Sequence, residues 1–186
     1  MGKLPGSALE VRLAVTLFLL LLGLANLFGA WEVRNFAAFT PAGVASAVGV
    51  SGHQGNHASG SASGESPVDL ETLNEKKHHI DRELLVQDSH VHIPVYAITA
   101  ALLVLIVFGL RLGSGSRIAL VLLAFAAPVL DFVGLWGAHL WSGSGRVWGA
   151  VALLGGAMMG LVYLAVLSLT LKQCWFSNSK KGEQDA

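Results

Sequence analysis

Four uninterrupted apolar runs decide what this chain can fold into. They are LAVTLFLLLLGLANLFGAW (Leu13 to Trp31), IPVYAITAALLVLIVFGL (Ile93 to Leu110), IALVLLAFAAPVLDFVGLWGAHL (Ile118 to Leu140) and VWGAVALLGGAMMGLVYLAVLSLTL (Val147 to Leu171). Each has the length that a helix needs to cross about 30 Å of hydrocarbon. In lipid, backbone polar groups must be paired within the segment, so helices are what such runs dictate. Trp31, Trp141 and Trp148 stand at run ends, where amphipathic rings favour the membrane interface. Composition agrees: 53% of residues are hydrophobic and 13% charged, against about 25% charged in soluble domains. The expected fold class is an all-α membrane protein, a four-transmembrane-helix bundle in contact with the lipid bilayer. The formal net charge is zero, which gives no case for nucleic acid as a partner. The single cysteine, Cys174, excludes an intrachain disulfide and a multi-cysteine metal site. The one long polar stretch is too short and too low in complexity for a soluble catalytic domain, so an enzyme acting by itself is not the expectation.

Lysine and arginine set the topology. Lys3, Arg12, Arg111, Arg117, Lys172, Lys180 and Lys181 fall on one side of a four-span chain. Arg34, Lys76, Lys77, Arg82 and Arg146 fall on the other, mostly in a long loop where charge weighs less. Residues 1–12 and the tail 172–186 are therefore expected in the cytoplasm and the loop 32–92 outside. The first run also admits a signal-peptide reading, with Gly23-Leu24-Ala25 as a small-residue cleavage pattern; its continuation to Trp31 favours an uncleaved anchor. Within the loop, residues 49–66 are Gly/Ser-rich and read as a flexible linker. Residues 67–88 or so read as a short amphipathic helix. Ser66 and Asp69 make a cap-like start, Pro67 suits the first helical position, and Leu70, Leu73, Ile80 and Leu84 form one apolar face.

The ionisable residues gather toward the exported ends. Pro94 suits the first turn of the second span. His92, Tyr96 and Thr99 then share one face, with Thr99 about 10 Å below His92. His90 points elsewhere if the helix includes it. On the third span, which runs the opposite way, Asp131 and His139 are about 12 Å apart along the axis and roughly 80° around it. His139 is thereby placed at the depth of His92, and Asp131 at the depth of Thr99. Asn26 lies about 7.5 Å below Trp31 in the same half of the membrane. A carboxyl group in mid-helix costs several kcal/mol in lipid, so Asp131 reads as a proton relay, a hydrogen-bond partner of a bound ligand, or an orienter of a ligating histidine. The bland reading is a neutral acid bonded to Asn26, Thr99 or a carbonyl freed by Pro128. His92 and His139 form the candidate pair for a bis-histidine haem b; His90, His92 and His139 are the candidate set for a transition-metal ion such as Cu or Zn. The alternative is that these histidines merely face water and headgroups.

Weaker candidates are His53 and His57 in the linker, His78 and His79 on the outer helix, and Met158 and Met159 as core packing. Cys174, at the end of the fourth span, is a conceivable palmitoylation site. Ala152, Gly156 and Gly160, four apart, form a small-residue ridge for close helix approach, within the chain or in a homo-oligomer.

Four blocks, FTPAGVASAVG, DSHVHIPV, DFVGLW and GGAMMG, carry a resemblance. The chain is similar to a group of small, mostly uncharacterised bacterial four-span membrane proteins. Members tend to have a (Ser/Thr)-His-x-His where this sequence has Ser89, His90 and His92, and an aspartate where it has Asp131. Several have a histidine shortly after the TP block, where this sequence reads Ala45-Ser46-Ala47; the insertion GHQGNHASGSASG is a second departure. The resemblance implies a bacterial inner-membrane location and no settled activity.

Two functional readings follow. One is a membrane ligand-binding module holding haem b or a metal ion, in electron transfer or metal handling beside a respiratory or other membrane complex. The other is an assembly subunit whose spans and outer helix bind partner proteins. A small transporter finds less support, since no broken-helix pair or inverted repeat is evident. No nucleophile motif or metalloprotease helix points to a hydrolase.

Overall fold

A computed structural model describes residues 4, 7–48 and 82–176. The described residues form helices and turns with no strand. Helix α1 is Leu9–Ala37, α2 is Pro41–Val48, α3 is Arg82–Gly109, α4 is Ser114–Leu140 and α5 is Gly145–Leu171, which continues into a π-helical turn, Lys172–Phe176. Four of them, α1, α3, α4 and α5 with its π-turn, are long and apolar enough to cross a membrane. With 27 residues, α4 is about 40 Å long. This is a multi-pass, four-helix membrane bundle.

Hydrogen bonds establish which helix ends meet. Arg12 at the start of α1 donates to the Cys174 carbonyl after α5, and Gln173 bonds the backbone of Arg111 between α3 and α4. These form a basic end. At the opposite end the rings of Trp141 and Trp148 stack, 5.2 Å apart, across the α4–α5 turn; this is the histidine end.

The helix boundaries differ from the sequence expectation in three places. First, α1 continues past Trp31 to Ala37, because Glu32 and Arg34 are good helix formers and nothing interrupts the ladder until Ala38. There the backbone turns left-handed twice, at Ala38 (φ 48°) and Phe39 (φ 54°). Second, the expected loop contains α2. Thr40 caps it, its Oγ1 accepting from the Gly43 amide at 2.9 Å, and Pro41 fills the first helical position. Gly43 is needed there because a Cβ would collide with the Ala37 carbonyl. Third, no break separates an outer helix from the second span: α3 is continuous from Arg82, so Pro94 lies in its interior and frees the His90 carbonyl. The rest of the expected outer helix, with Leu70, Leu73, His78, His79 and Ile80, lies outside the described residues, as does the linker with His53 and His57.

Left-handed backbone costs an L-residue about 1–2 kcal/mol. Ala38→Gly removes that cost at the α1 C-cap and is expected to stabilise the protein by about 1 kcal/mol, read as a raised thermal midpoint in detergent.

Two clusters fill the bundle. The larger, toward the basic end, includes Leu19, Leu103, Val107, Leu110, Val162, Tyr163 and Val166. The smaller, at the histidine end, joins Ala37, Val44, Val48, Ala138 and Ala152. Tyr163 ties α1 to α5: its hydroxyl donates to the Leu19 carbonyl at 3.0 Å, and Gly23 leaves room for the ring. Between lipid-soluble helices, close packing rather than water exclusion supplies the attraction, so small residues mark the contacts. On α4 and α5 these are Gly134 against the Ala152 backbone, Gly155 against Ala127 and Asp131, and Gly137 under the Trp148 ring. Gly149 meets the Pro41 carbonyl of α2. Of the expected ridge, Ala152 lies in this contact, whereas Gly156 and Gly160 face open space within the chain. The inward stripe is Gly145, Gly149, Ala152 and Gly155, all buried.

Candidate ligand site at the histidine end

On α3, Ser89, His92 and Tyr96 stand at i, i+3 and i+7 and share a face. On α4, Phe132, Trp136 and His139, at i, i+4 and i+7, also share a face. The two faces meet. The indole Nε1 of Trp136 donates to the buried Ser89 hydroxyl at 2.9 Å, and the rings of Tyr96 and Phe132 lie 5.5 Å apart. His92 packs edge-on against Tyr96, at 5.7 Å, and His139 edge-on against Trp136, at 6.2 Å.

Both histidines are oriented through Nδ1. His139 is buried, and its Nδ1 lies 2.8 Å from the Val48 carbonyl at the end of α2. A carbonyl only accepts, so Nδ1 carries the proton and a neutral ring keeps its lone pair on Nε2. His92 Nδ1 meets two acceptors of one residue, the Asp88 carbonyl at 2.9 Å and carboxylate Oδ1 at 2.8 Å. The same tautomer follows. His92 and Asp88 side chains are 44% and 49% exposed, so this pair is open to a ligand or to headgroups. An imidazole whose Nδ1–H is held by oxygen is the form in which histidine binds metals through Nε2.

Asp131 is half-buried on α4. Its backbone faces Gly155, and its carboxyl lies within electrostatic range of Asp88, His92 and Tyr96. Glu32 at the far end of α1 reaches Tyr96 in the same sense. The partner expected from the first span is engaged elsewhere: Asn26 is bonded through Nδ2 to the Leu22 carbonyl of its own helix, at 2.8 Å. Thr99 is half-buried one turn below Tyr96. His90 is exposed, on a different side of α3 from His92 because the helix includes both. The rings of His92 and His139 are not in contact, and among the described residues no three His, Cys, Asp or Glu side chains converge to hold a metal ion. Cys174 is buried at the opposite end, so its thiol is not presented for lipidation.

Ser89 belongs to the Ser-His-x-His block of the resemblance; Trp136 and the Val48 carbonyl have no place in the sequence reading of the site. Trp136 falls three residues before His139, a spacing that could have marked it; the Val48 carbonyl has no side-chain signature at all.

Residues 60–181, most of the chain, match the family model Aq_1264_TM, described as a transmembrane helical domain. The chain belongs to the Aq_1264_TM family. No curated protein and no solved structure matches it. The Aq_1264_TM match takes in α3, α4 and α5, and therefore His92, Tyr96, Asp131, Trp136 and His139. Helices α1 and α2, with the Val48 carbonyl that orients His139, precede it.

Proposed function

We propose that this protein is a membrane ligand-binding module that holds haem b at the α3–α4 face, with His92 and His139 as the iron ligands, for electron transfer next to a membrane complex. The observation that carries this reading is the common state of the two imidazoles, each with Nδ1 held by an oxygen acceptor and Nε2 left as the donor. Two such donors meet the requirement of haem iron. A Cu or Zn ion needs three or four, and would have to recruit His90 or a loop residue. Asp131 would tune the site or carry a proton. The charge distribution supports an orientation with both termini inside and the histidine end outside, and the resemblance to bacterial four-span proteins implies the inner membrane.

The test is optical. Purified protein should give b-type bands in a reduced-minus-oxidised difference spectrum, with one haem per chain, lost in both His92→Ala and His139→Ala. Absence of haem bands and of stoichiometric metal, in protein of native melting behaviour, would sink the reading. A second reading, a partner-binding subunit or homo-oligomer, is favoured by Gly156 and Gly160, which no group among the described residues covers.

A further inference from the structure

The basic end gathers cationic side chains around a set of ties between helix ends. Arg12 donates from Nη1 to the Cys174 carbonyl at 2.9 Å, and its guanidinium lies over the Trp175 ring, 5.4 Å from the centroid. Gln173 accepts from the Arg111 amide at 2.8 Å and donates to the Arg111 carbonyl at 3.4 Å. Arg117 donates from Nη2 to the Leu112 carbonyl at 3.3 Å. Cys174 follows Gln173 and Leu112 follows Arg111, so these links join into one chain of contacts. It closes α1, the α3–α4 turn and the end of α5, with Lys172 exposed beside it.

Among the described residues, this arrangement concentrates positive charge without pairing it. Glu10 is the nearby carboxylate on α1, and it pairs with none of these cations; among the described residues the one ion pair is His92 with Asp88, at the other end. Among the described residues, Arg12 and Arg117 each keep a buried Nε donor with no partner. An unmet donor on a charged group is costly. The Nε atoms face protein, so the donors that a phosphate can reach are the Nη N–H groups outside the Arg12–Cys174 and Arg117–Leu112 bonds, and charge-assisted bonds to phosphate suit them. The surroundings fit a lipid: Trp175 and Phe176 are exposed at the helix end, and Leu13, Leu17, Ile118 and Leu122 are exposed along the spans that begin there.

We propose that Arg12 and Arg117, supported by Arg111 and Lys172, bind the phosphate headgroup of an anionic phospholipid at this end of the bundle. The full chain, purified in neutral detergent, would be titrated with phosphatidylglycerol, phosphatidylcholine or inorganic phosphate. Bound adducts would be counted by native mass spectrometry, and melting followed in parallel. Phosphatidylglycerol is expected to bind in preference to phosphatidylcholine and to raise the melting point, less so at high salt. Arg12→Gln and Arg117→Gln should each weaken it about fivefold, while Arg34→Gln at the other end should not. Stabilisation by inorganic phosphate alone, lost in the same two variants, would keep the phosphate site and make free phosphate its source. Equal retention of the two lipids, or unchanged preference in the Arg117→Gln protein, overturns the proposal; that variant leaves the Arg12–Cys174 tie intact, so it preserves a folded test should Arg12→Gln fail to fold.

Discussion

Gly155→Ala should lower stability by about 2 kcal/mol, while its neighbour Gly156→Ala should change it by no more than about 0.5 kcal/mol. The contrast comes from one helical step. A Cβ on Gly155 would lie 2.8 Å from the Ala127 carbonyl oxygen and 2.8 Å from the Asp131 Cα, and closer still to the Asp131 amide. These are backbone atoms of α4, which cannot swing aside as a side chain would, so the helices must separate. Separation would also loosen Gly134 from Ala152, since both contacts lie on one seam. Among the described residues, a Cβ on Gly156 meets nothing within 4 Å. Thermal melts of both variants in detergent, followed by tryptophan fluorescence, provide the measurement. Equal, wild-type midpoints would mean that α4 and α5 do not approach this closely. A loss at Gly156 as large as at Gly155 would place Gly156 in a contact between copies of the chain.

The number and type of membrane helices were legible because they depend on composition over a window, and lipid leaves a long apolar run one way to satisfy its backbone. What was not legible depends on partners far away in sequence. Short, apolar α2 reads as loop, although its Thr40-Pro41 start is a recognisable cap; what it does at the site, offering the Val48 carbonyl to His139, is a contact across 91 positions. Of the small-residue ridge, Ala152 meets α4 within the chain, whereas Gly156 and Gly160 lie on the side that turns away from it. Helix α5 offers glycine on both sides at this depth, and the facing Gly134 and Gly137 decide which side turns inward. The His92–Tyr96–Thr99 face follows from spacing alone, and Tyr96 does meet α4, at Phe132. The roughly 80° between Asp131 and His139 also has a counterpart: His139 addresses α2, while the Asp131 backbone lies against α5.

Asp131→Leu should stabilise the isolated protein by about 2–3 kcal/mol and at the same time impair whatever the histidine end does. A carboxyl group is retained at mid-span either because the fold uses it or because function does. The fold's candidate partners can be followed one by one. Asn26 directs its amide to Leu22. Pro128 frees the carbonyl of Ala124, two turns from Asp131 and out of its reach. Among the described residues no donor bonds the Asp131 carboxyl, yet Asp88, His92 and Tyr96 lie within its electrostatic range. Packing therefore has little to lose when the carboxyl goes, and lipid compatibility has much to gain. The melting midpoint of Asp131→Leu and its content of the proposed haem, measured on the same preparation, separate the possibilities. A higher midpoint with lost or spectrally shifted haem assigns the carboxyl to function, and Asp131→Asn, which keeps the shape and a polar group, should fall between. A lower midpoint for Asp131→Leu would make the carboxyl a structural group and leave His92 and His139 to carry the site without it.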